Sequence, residues 1–223
     1  MLSPHATDQQ KAKLLQWSNM LMRHIESWAI VQASYIPFVA SLRVKNPLDS
    51  ENINKPECFP LFLPSALWHH IPCDTKLQEI EWKLRIGQAH DALEELRQAL
   101  RTRAYMERFK DRFLRGQGAN TRARNSLKAV DAKVDSSAIK YHIAYAALLE
   151  LSTLLGKTGW NNGLRSLEKD DIRPMTAGVE HRSSEGRRRL SWIWLVCGYD
   201  GRTAENEGDL DGVSYYLSST VSD

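Results

Sequence analysis

Residues 127–155 read LKAVDAKVDSSAIKYHIAYAALLELSTLL, and one spacing runs through the whole stretch. Leu127, Val130, Val134, Ser137, Tyr141, Ala144, Leu148, Leu151 and Leu155 recur by alternating steps of three and four. An α-helix turns about 100° per residue, so these side chains fall in one stripe, a heptad seam that needs a partner. A second stripe lies upstream in Trp82, Ile86, Ala89, Leu93, Leu96 and Leu100, on a helix that starts at Asp74 or Thr75 and runs to about Arg115. Thr75 and Gln78 have capping-box spacing at its start. Gly116-Gln117-Gly118 stops that helix, and Asn120 or Thr121 caps the next. So short a link favours an antiparallel neighbour, which predicts a helical hairpin of residues 75–115 and 119–155. Burial contributes about 1.5–3 kcal/mol per seam leucine, against a few tenths for an exposed ion pair, so packing decides this hairpin. One irregularity stands out. Met106, Phe109 and Phe113 fall nearly opposite the stripe, so either the helix breaks near Thr102 or another element covers its far half.

Outward from the hairpin, the N-terminal region repeats the spacing in Leu14, Trp17, Leu21, His24, Trp28, Val31 and Tyr35. Ser3-Pro4, or Thr7 with Gln10, starts this helix, and Pro37 closes or kinks it. His24 on the apolar face reads as a partly buried structural histidine. From Val44 to Pro72, five prolines interrupt every apolar run, marking a connector whose Phe59, Leu61, Phe62, Leu63, Leu67 and Trp68 pack on the helices it joins. After Gly156, Trp160, Leu164 and Leu167 suggest a short helix ending at Asp170–Pro174, and Leu190–Leu195 is compatible with helix or strand. Gly178–Gly186 reads as a polar loop, and Gly198–Asp223 as acidic and disordered. The fold class expected is all-α: an elongated, coiled-coil-like antiparallel hairpin with a packed N-terminal helix and an irregular C-terminal region. Its segments are 1–43, 44–73, 74–156, 157–197 and 198–223.

The 223 residues are 42% hydrophobic and 26% charged, an ordinary soluble composition. The longest apolar stretch, near Leu190–Tyr199, is far short of the ~20 residues of a membrane span, and the N-terminus has no secretory pattern. Cys58, Cys73 and Cys197 are too few and too scattered for a disulfide framework, and an intracellular protein is expected. The formal charge of +3 hides a strong asymmetry. Residues 97–133 carry eleven basic and three acidic side chains, a local +8, while residues 200–223 carry six acids and one arginine, a local −5.

Chemistry is hard to find in this chain. It has no phosphate-binding glycine loop, nucleophile elbow or paired-histidine zinc motif. Asp170-Asp171 lacks a third acid for metal-assisted catalysis, and Cys58, His69, His70 and Cys73 match no zinc spacing. His90 and Asp91 are adjacent on a helix and so do not face each other, and Tyr141 and Tyr145 share a face as packing aromatics. No catalytic, cofactor or metal residue is assigned, and the chain is expected not to be an enzyme. The basic middle is the better candidate. Arg97, Arg101, Arg108, Arg112 and Arg115 lie within an arc of about 60° on a helical wheel, and Arg122 and Arg124 follow beyond the turn. These arginines either lay their stems over the core and pair with acids, or contact nucleic-acid phosphates without reading sequence. Met106, Phe109, Phe113, Trp192 and Trp194 are the candidate apolar contacts for a protein partner.

Several strings, in order, resemble the C-terminal region of fungal KDZ (Kyakuja-Dileera-Zisupton) transposase-like proteins. They are Leu61-Phe62-Leu63-Pro64-Ser65, Leu84 through Leu93, Lys110-Asp111-Arg112, Arg115-Gly116-Gln117, Asn120-Thr121-Arg122-Ala123, Asp171-Ile172-Arg173-Pro174, Glu185-Gly186-Arg187 and Leu190 through Trp194. Ile25–Pro37 is similar to the segment that precedes them in that family. The upstream transposase domain and cysteine-rich cluster of the family have no counterpart here, so no catalytic acid is carried over. Gly198–Asp223 departs from the family's continuation into a long helix. The resemblance implies a transposase-derived chain and a nuclear location. The expectation is a non-catalytic interaction or self-association module, with a sequence-nonspecific DNA-binding module as the alternative and a transposon remnant without a role as the third possibility.

Overall fold

The computed structural model describes residues 7–47, 55–67, 71–175 and 190–196, and all regular structure among them is helical. The expected polar loop, the acidic segment 198–223, and Trp68, His69 and His70 lie outside the described residues. The chain forms two compact units, Met1–Leu77 and Gln78–Asp223.

In the first unit, α1 spans Asp8–Tyr35 and α2 spans Phe38–Lys45. Thr7 and Gln10 form the capping box at the start of α1, each side chain accepting from the other's backbone N–H. Pro37 has no N–H to continue the helix, so the chain turns there and resumes as α2. A 3₁₀ turn at Pro56–Cys58 and the single turn α3, Pro64–Leu67, complete the unit. Its core is small: Ile36, Val39 and Leu67 are buried, with Leu42, Phe62 and Leu77 against them. A polar knot supplements it. Gln32 donates to the carbonyls of Leu61 and Phe62 at 2.9 and 2.8 Å and accepts from Arg43, whose guanidinium also lies 5.3–6.0 Å from the ring centroids of Trp28, Phe59 and Phe62. Burial pushes the Arg43 guanidinium below its usual range, and its buried Nε has no hydrogen-bond partner. His24 is exposed, contrary to the expected burial, because no described element covers that side of α1 within the unit. Leu14, Trp17, Leu21, Val31 and Tyr35 are exposed on the same helix.

The second unit is built on the hairpin. Helix α4 runs unbroken from Thr75 to Phe113 and α5 from Gln117 to Leu155, each 39 residues or about 58 Å long. Gly116 turns the chain with φ +88° and ψ 155°, a conformation that strains any residue with a Cβ, and it is the N-cap of α5. The helix therefore starts earlier than an Asn120 or Thr121 cap would place it, and Thr121 instead bonds back to the Gln117 carbonyl. Gly156, at φ 62°, closes α5 in the left-handed region. The antiparallel order shows in the cross-helix pairs: Lys140 meets Glu95 at 2.7 Å, and nearer the turn Asp131 meets Arg103 at 2.7 Å.

The two stripes read from the sequence meet at the base of the hairpin. Ala89, Leu93, Leu96 and Leu100 of α4, and Tyr141, Ala144, Leu148 and Leu151 of α5, are buried in one cluster. A third layer crosses this base. It is irregular, where a short helix was expected over Trp160–Leu167: a 3₁₀ turn at Trp160–Asn162 leads into a segment without regular structure that buries Leu164 and Leu167. Gly159 and Gly163 flank the turn, and three aromatic or leucine side chains here cap the hairpin singly instead of forming a helix face. Further 3₁₀ turns follow at Lys169–Asp171 and Trp192–Trp194.

Candidate functional site

The third layer fixes the fate of the first arginine of the basic stripe. Arg97 is only 6% exposed. Its Nε donates to the Ile193 carbonyl at 2.6 Å, its Nη2 to the Val196 carbonyl at 2.5 Å, and its Nη1 to Glu94 at 2.9 Å. One guanidinium thereby satisfies the backbone of a segment that has no ladder or helix long enough to satisfy itself. Arg101 accompanies it, pairing with Glu94 at 3.2 Å and lying over the Trp194 ring at 5.4 Å. The hydrogen bond from Arg97, reinforced by that from Arg101, holds the Glu94 carboxyl below its usual range, although desolvation works in the opposite direction. Arg97 is thus enclosed by the chain itself, whereas Arg101 keeps about half of its side chain in solvent.

Trp192 and Trp194 are likewise drawn inward. Trp192 lies 5.9 Å from Tyr141 ring to ring, and Trp194 donates to the Arg173 carbonyl at 3.0 Å. Tyr141 is fully buried, donates to the Arg165 carbonyl at 2.6 Å, and has its phenol pushed above its ordinary range by burial. Trp160 closes the end of the cluster with an edge-on contact to Trp82 at 5.7 Å and a contact to Tyr145 at 5.4 Å. Ser191 reaches Asp171 at 3.4 Å. Asp171–Arg173 and Ser191–Trp194 therefore pack together over the hairpin base, and Asp171 accepts from the Glu168 backbone N–H as a local cap.

Beyond Leu100 the hairpin is built differently. The seam of α4 continues by the same three-four steps through Arg103, Glu107 and Lys110 to Leu114, so three polar residues replace the apolar ones while α5 keeps Val130, Leu127 and Ala123 on its side. Arg103 bridges Asp131 at 2.7 Å and Glu107 at 3.1 Å, and the bond it donates to Asp131 raises the guanidinium above its usual range. These ion pairs are each more than a third exposed and contribute little, so they hold register rather than a core. Met106 is half-buried, while Phe109 and Phe113 are 44% and 67% exposed and rest on each other at 5.3 Å. The helix neither breaks near Thr102 nor is covered by another element among the described residues.

Between the two helices at this end lies a groove of about 450 Å³, lined by Tyr105, Met106, Phe109, Leu114, Ala119, Arg122, Ala123 and Ser126. Arg122, one of the lining residues, is exposed, as are Arg108, Arg112 and Arg115 elsewhere on this end of the hairpin. Arg115 also donates to the Asp111 and Leu114 carbonyls, capping the C-terminus of α4 with a cation. Arg124 is exposed too but stands about 200° round α5 from Arg122, on another side. Residues 105–128 hold seven basic and two acidic side chains, a net +5. Of the seven sequence-level cations, Arg97 and Arg101 thus belong to the base, and the other five surround the turn. The groove itself was not foreseen, although the polar step from Leu100 to Arg103 in the α4 seam is its signature.

A second groove, of about 610 Å³, lies in the first unit between α1 and the Pro56 turn, lined by Leu14, Leu15, Trp17, Leu21 and Pro56 with Lys11, Lys55 and Glu57. Among the described residues no three His, Cys, Asp or Glu side chains are grouped to hold a metal ion, and no helix is long and apolar enough to cross a membrane. Comparison of the chain with family models, curated proteins and solved structures finds no match.

Proposed function

We propose that the chain is a non-catalytic helical interaction module that holds a protein partner, or a second copy of itself, at the turn end of its hairpin. The observation that carries this is the contrast along one pair of helices. The base is covered by its own third layer, whereas the turn end leaves Phe109 and Phe113 exposed and places Met106 and Phe109 in a groove that Arg122 also lines. An apolar floor with a charged edge is the ordinary anatomy of a protein contact. The resemblance to KDZ transposase-like proteins agrees with a module that works beside a catalytic domain, and with a nuclear location. Light scattering over a range of concentrations tests the self-association form: any mass gained at high concentration should be lost in Phe109→Glu/Phe113→Glu. A mass gain that survives the double substitution removes the groove from the account.

Exposure of Arg108, Arg112, Arg115, Arg122 and Arg124 favours a second reading, contact with nucleic-acid phosphates. Five such contacts would weaken duplex binding by several hundred-fold between roughly 50 and 200 mM salt. Duplex binding that is unaltered by Arg108→Glu/Arg112→Glu/Arg122→Glu, or absent at low salt, excludes it.

A further inference from the structure

The groove at the turn end has an occupant of matching chemistry in the chain's own sequence. Residues 205–217 read ENEGDLDGVSYYL: Glu205, Glu207, Asp209 and Asp211, then Val213, Tyr215, Tyr216 and Leu217, with Leu210 among the acids. Acids followed by large apolar side chains are the complement of a groove lined by Met106, Phe109 and Arg122, at an end of the hairpin that also exposes Arg112 and Arg115. We propose that residues 205–217 of the same chain lie in this groove and mask it until a partner displaces them. The inference rests on the groove being a docking surface, and it names what that surface binds: an acidic segment with aromatic and aliphatic side chains.

Charge selects this occupant. Residues 200–223 carry −5 and residues 105–128 carry +5, so docking brings opposite and nearly equal charges together. A second hairpin turn laid on the first would bring +5 against +5. Reach permits it. The last described residue, Val196, is held on Arg97, and Arg101 lies under Trp194, so the chain leaves the third layer where the covered half of the hairpin gives way to the open half. Phe109 lies twelve residues beyond Arg97 along α4, about 18 Å. Residues 197–204 span up to about 28 Å when extended, enough to bring Glu205 to the groove. Attachment through so short a link sets an effective concentration on the order of millimolar, so even a weak contact fills the groove.

The test places a photo-crosslinking residue in the full chain as Tyr105→p-benzoylphenylalanine, irradiated while dilute. The expected result is an adduct within one chain, mapped to residues 205–217. Its yield should fall about fivefold or more from roughly 0.05 to 0.5 M salt, over which the screening length shortens about threefold. It should fall comparably in Glu205→Lys/Glu207→Lys/Asp209→Lys/Asp211→Lys, and return when that variant also carries Arg112→Glu/Arg115→Glu/Arg122→Glu. Adducts confined to other residues, adducts joining two chains, or a yield indifferent to charge reversal each overturn the proposal. The interaction function fails separately. If the acid-reversed chain gains no mass with concentration and Phe109→Glu changes nothing in it, the groove takes no second copy, while the adduct still reports on the masking segment.

Discussion

The base and the turn end of the hairpin belong to the same two helices and are equally regular in backbone, yet only the base has a core. From Trp82 to Leu100, α4 gives its seam to leucines and alanines, and residues 160–196 contribute Leu164, Leu167 and Ile193 above it. From Arg103 to Lys110 the seam is polar, and the nearby aromatic side chains remain in solvent. A helix long enough to be anchored at one end can be carried beyond its core by propensity and by a few ion pairs, because extending a formed helix costs far less than starting one. The turn end is thus free to serve recognition, while stability is concentrated at the base.

The largest expected effect breaks the base. Leu96→Ala or Leu148→Ala removes a side chain with no solvent exposure and should cost about 2–5 kcal/mol. Met106→Ala, by the same kind of truncation at the turn end, should cost under about 1 kcal/mol, since a half-buried side chain leaves no closed cavity. Urea unfolding followed by circular dichroism checks the pair. Equal losses would mean that the turn end has a core after all.

Next in size is the joint between the hairpin and its third layer. Arg97→Met keeps the aliphatic stem but strands the carbonyls of Ile193 and Val196, each at a cost of about 1–3 kcal/mol. Amide exchange should accelerate in residues 190–196 while α5 around Leu148 stays protected. Arg97→Lys should not rescue the segment, because a single ammonium cannot reproduce a fork that serves two carbonyls and a carboxylate.

This joint also marks where the sequence stops being readable. The hairpin was legible because its cause is periodic: Leu93, Leu96 and Leu100 against Tyr141, Ala144 and Leu148 repeat at a spacing that only a helix face explains. The irregular layer has no period. Leu164, Leu167 and Ile193 are buried one by one, and the backbone around them is satisfied by Tyr141 and by an arginine 96 residues away in sequence. On a helical wheel Arg97 is indistinguishable from Arg108 or Arg112, since the wheel records direction and not what lies beyond it. Only the apposition of Ile193 and Val196 separates the structural arginine from the exposed ones. The open groove was half legible: the misplaced Met106, Phe109 and Phe113 announced a change, and the polar run Arg103, Glu107, Lys110 gives its reason.

At the turn end, Phe109→Glu/Phe113→Glu should cost under about 1 kcal/mol of unfolding free energy, because Phe113 is 67% and Phe109 44% exposed and neither belongs to the core. The loss of association expected of this variant would then report on recognition alone. A stability loss comparable to that of Leu96→Ala would instead place these rings in a core.

The smallest effect is one of pH, and it too belongs to the base. His90 sits beside Arg97, and burial first, then the Arg97 charge, lowers its pKa below the ordinary 6.5, with Asp91 opposing. Between the folded and unfolded values the unfolded chain binds more protons, so stability rises with pH through this window. The contribution is complete above about 6.5 and is lost as the pH falls below it. Glu94 adds a second window further down: its folded pKa lies below the ordinary 4.5, so its contribution is complete above that value and disappears as acid protonates it in the folded chain. Unfolding measured from neutral to mildly acidic pH should therefore show a decline that His90→Gln flattens. Glu94→Gln should flatten only the more acidic part and should also loosen residues 190–196, because it removes the carboxylate that orients Arg97. If both variants keep the wild-type slope, the charges around Arg97 do not contribute to holding the third layer on the hairpin.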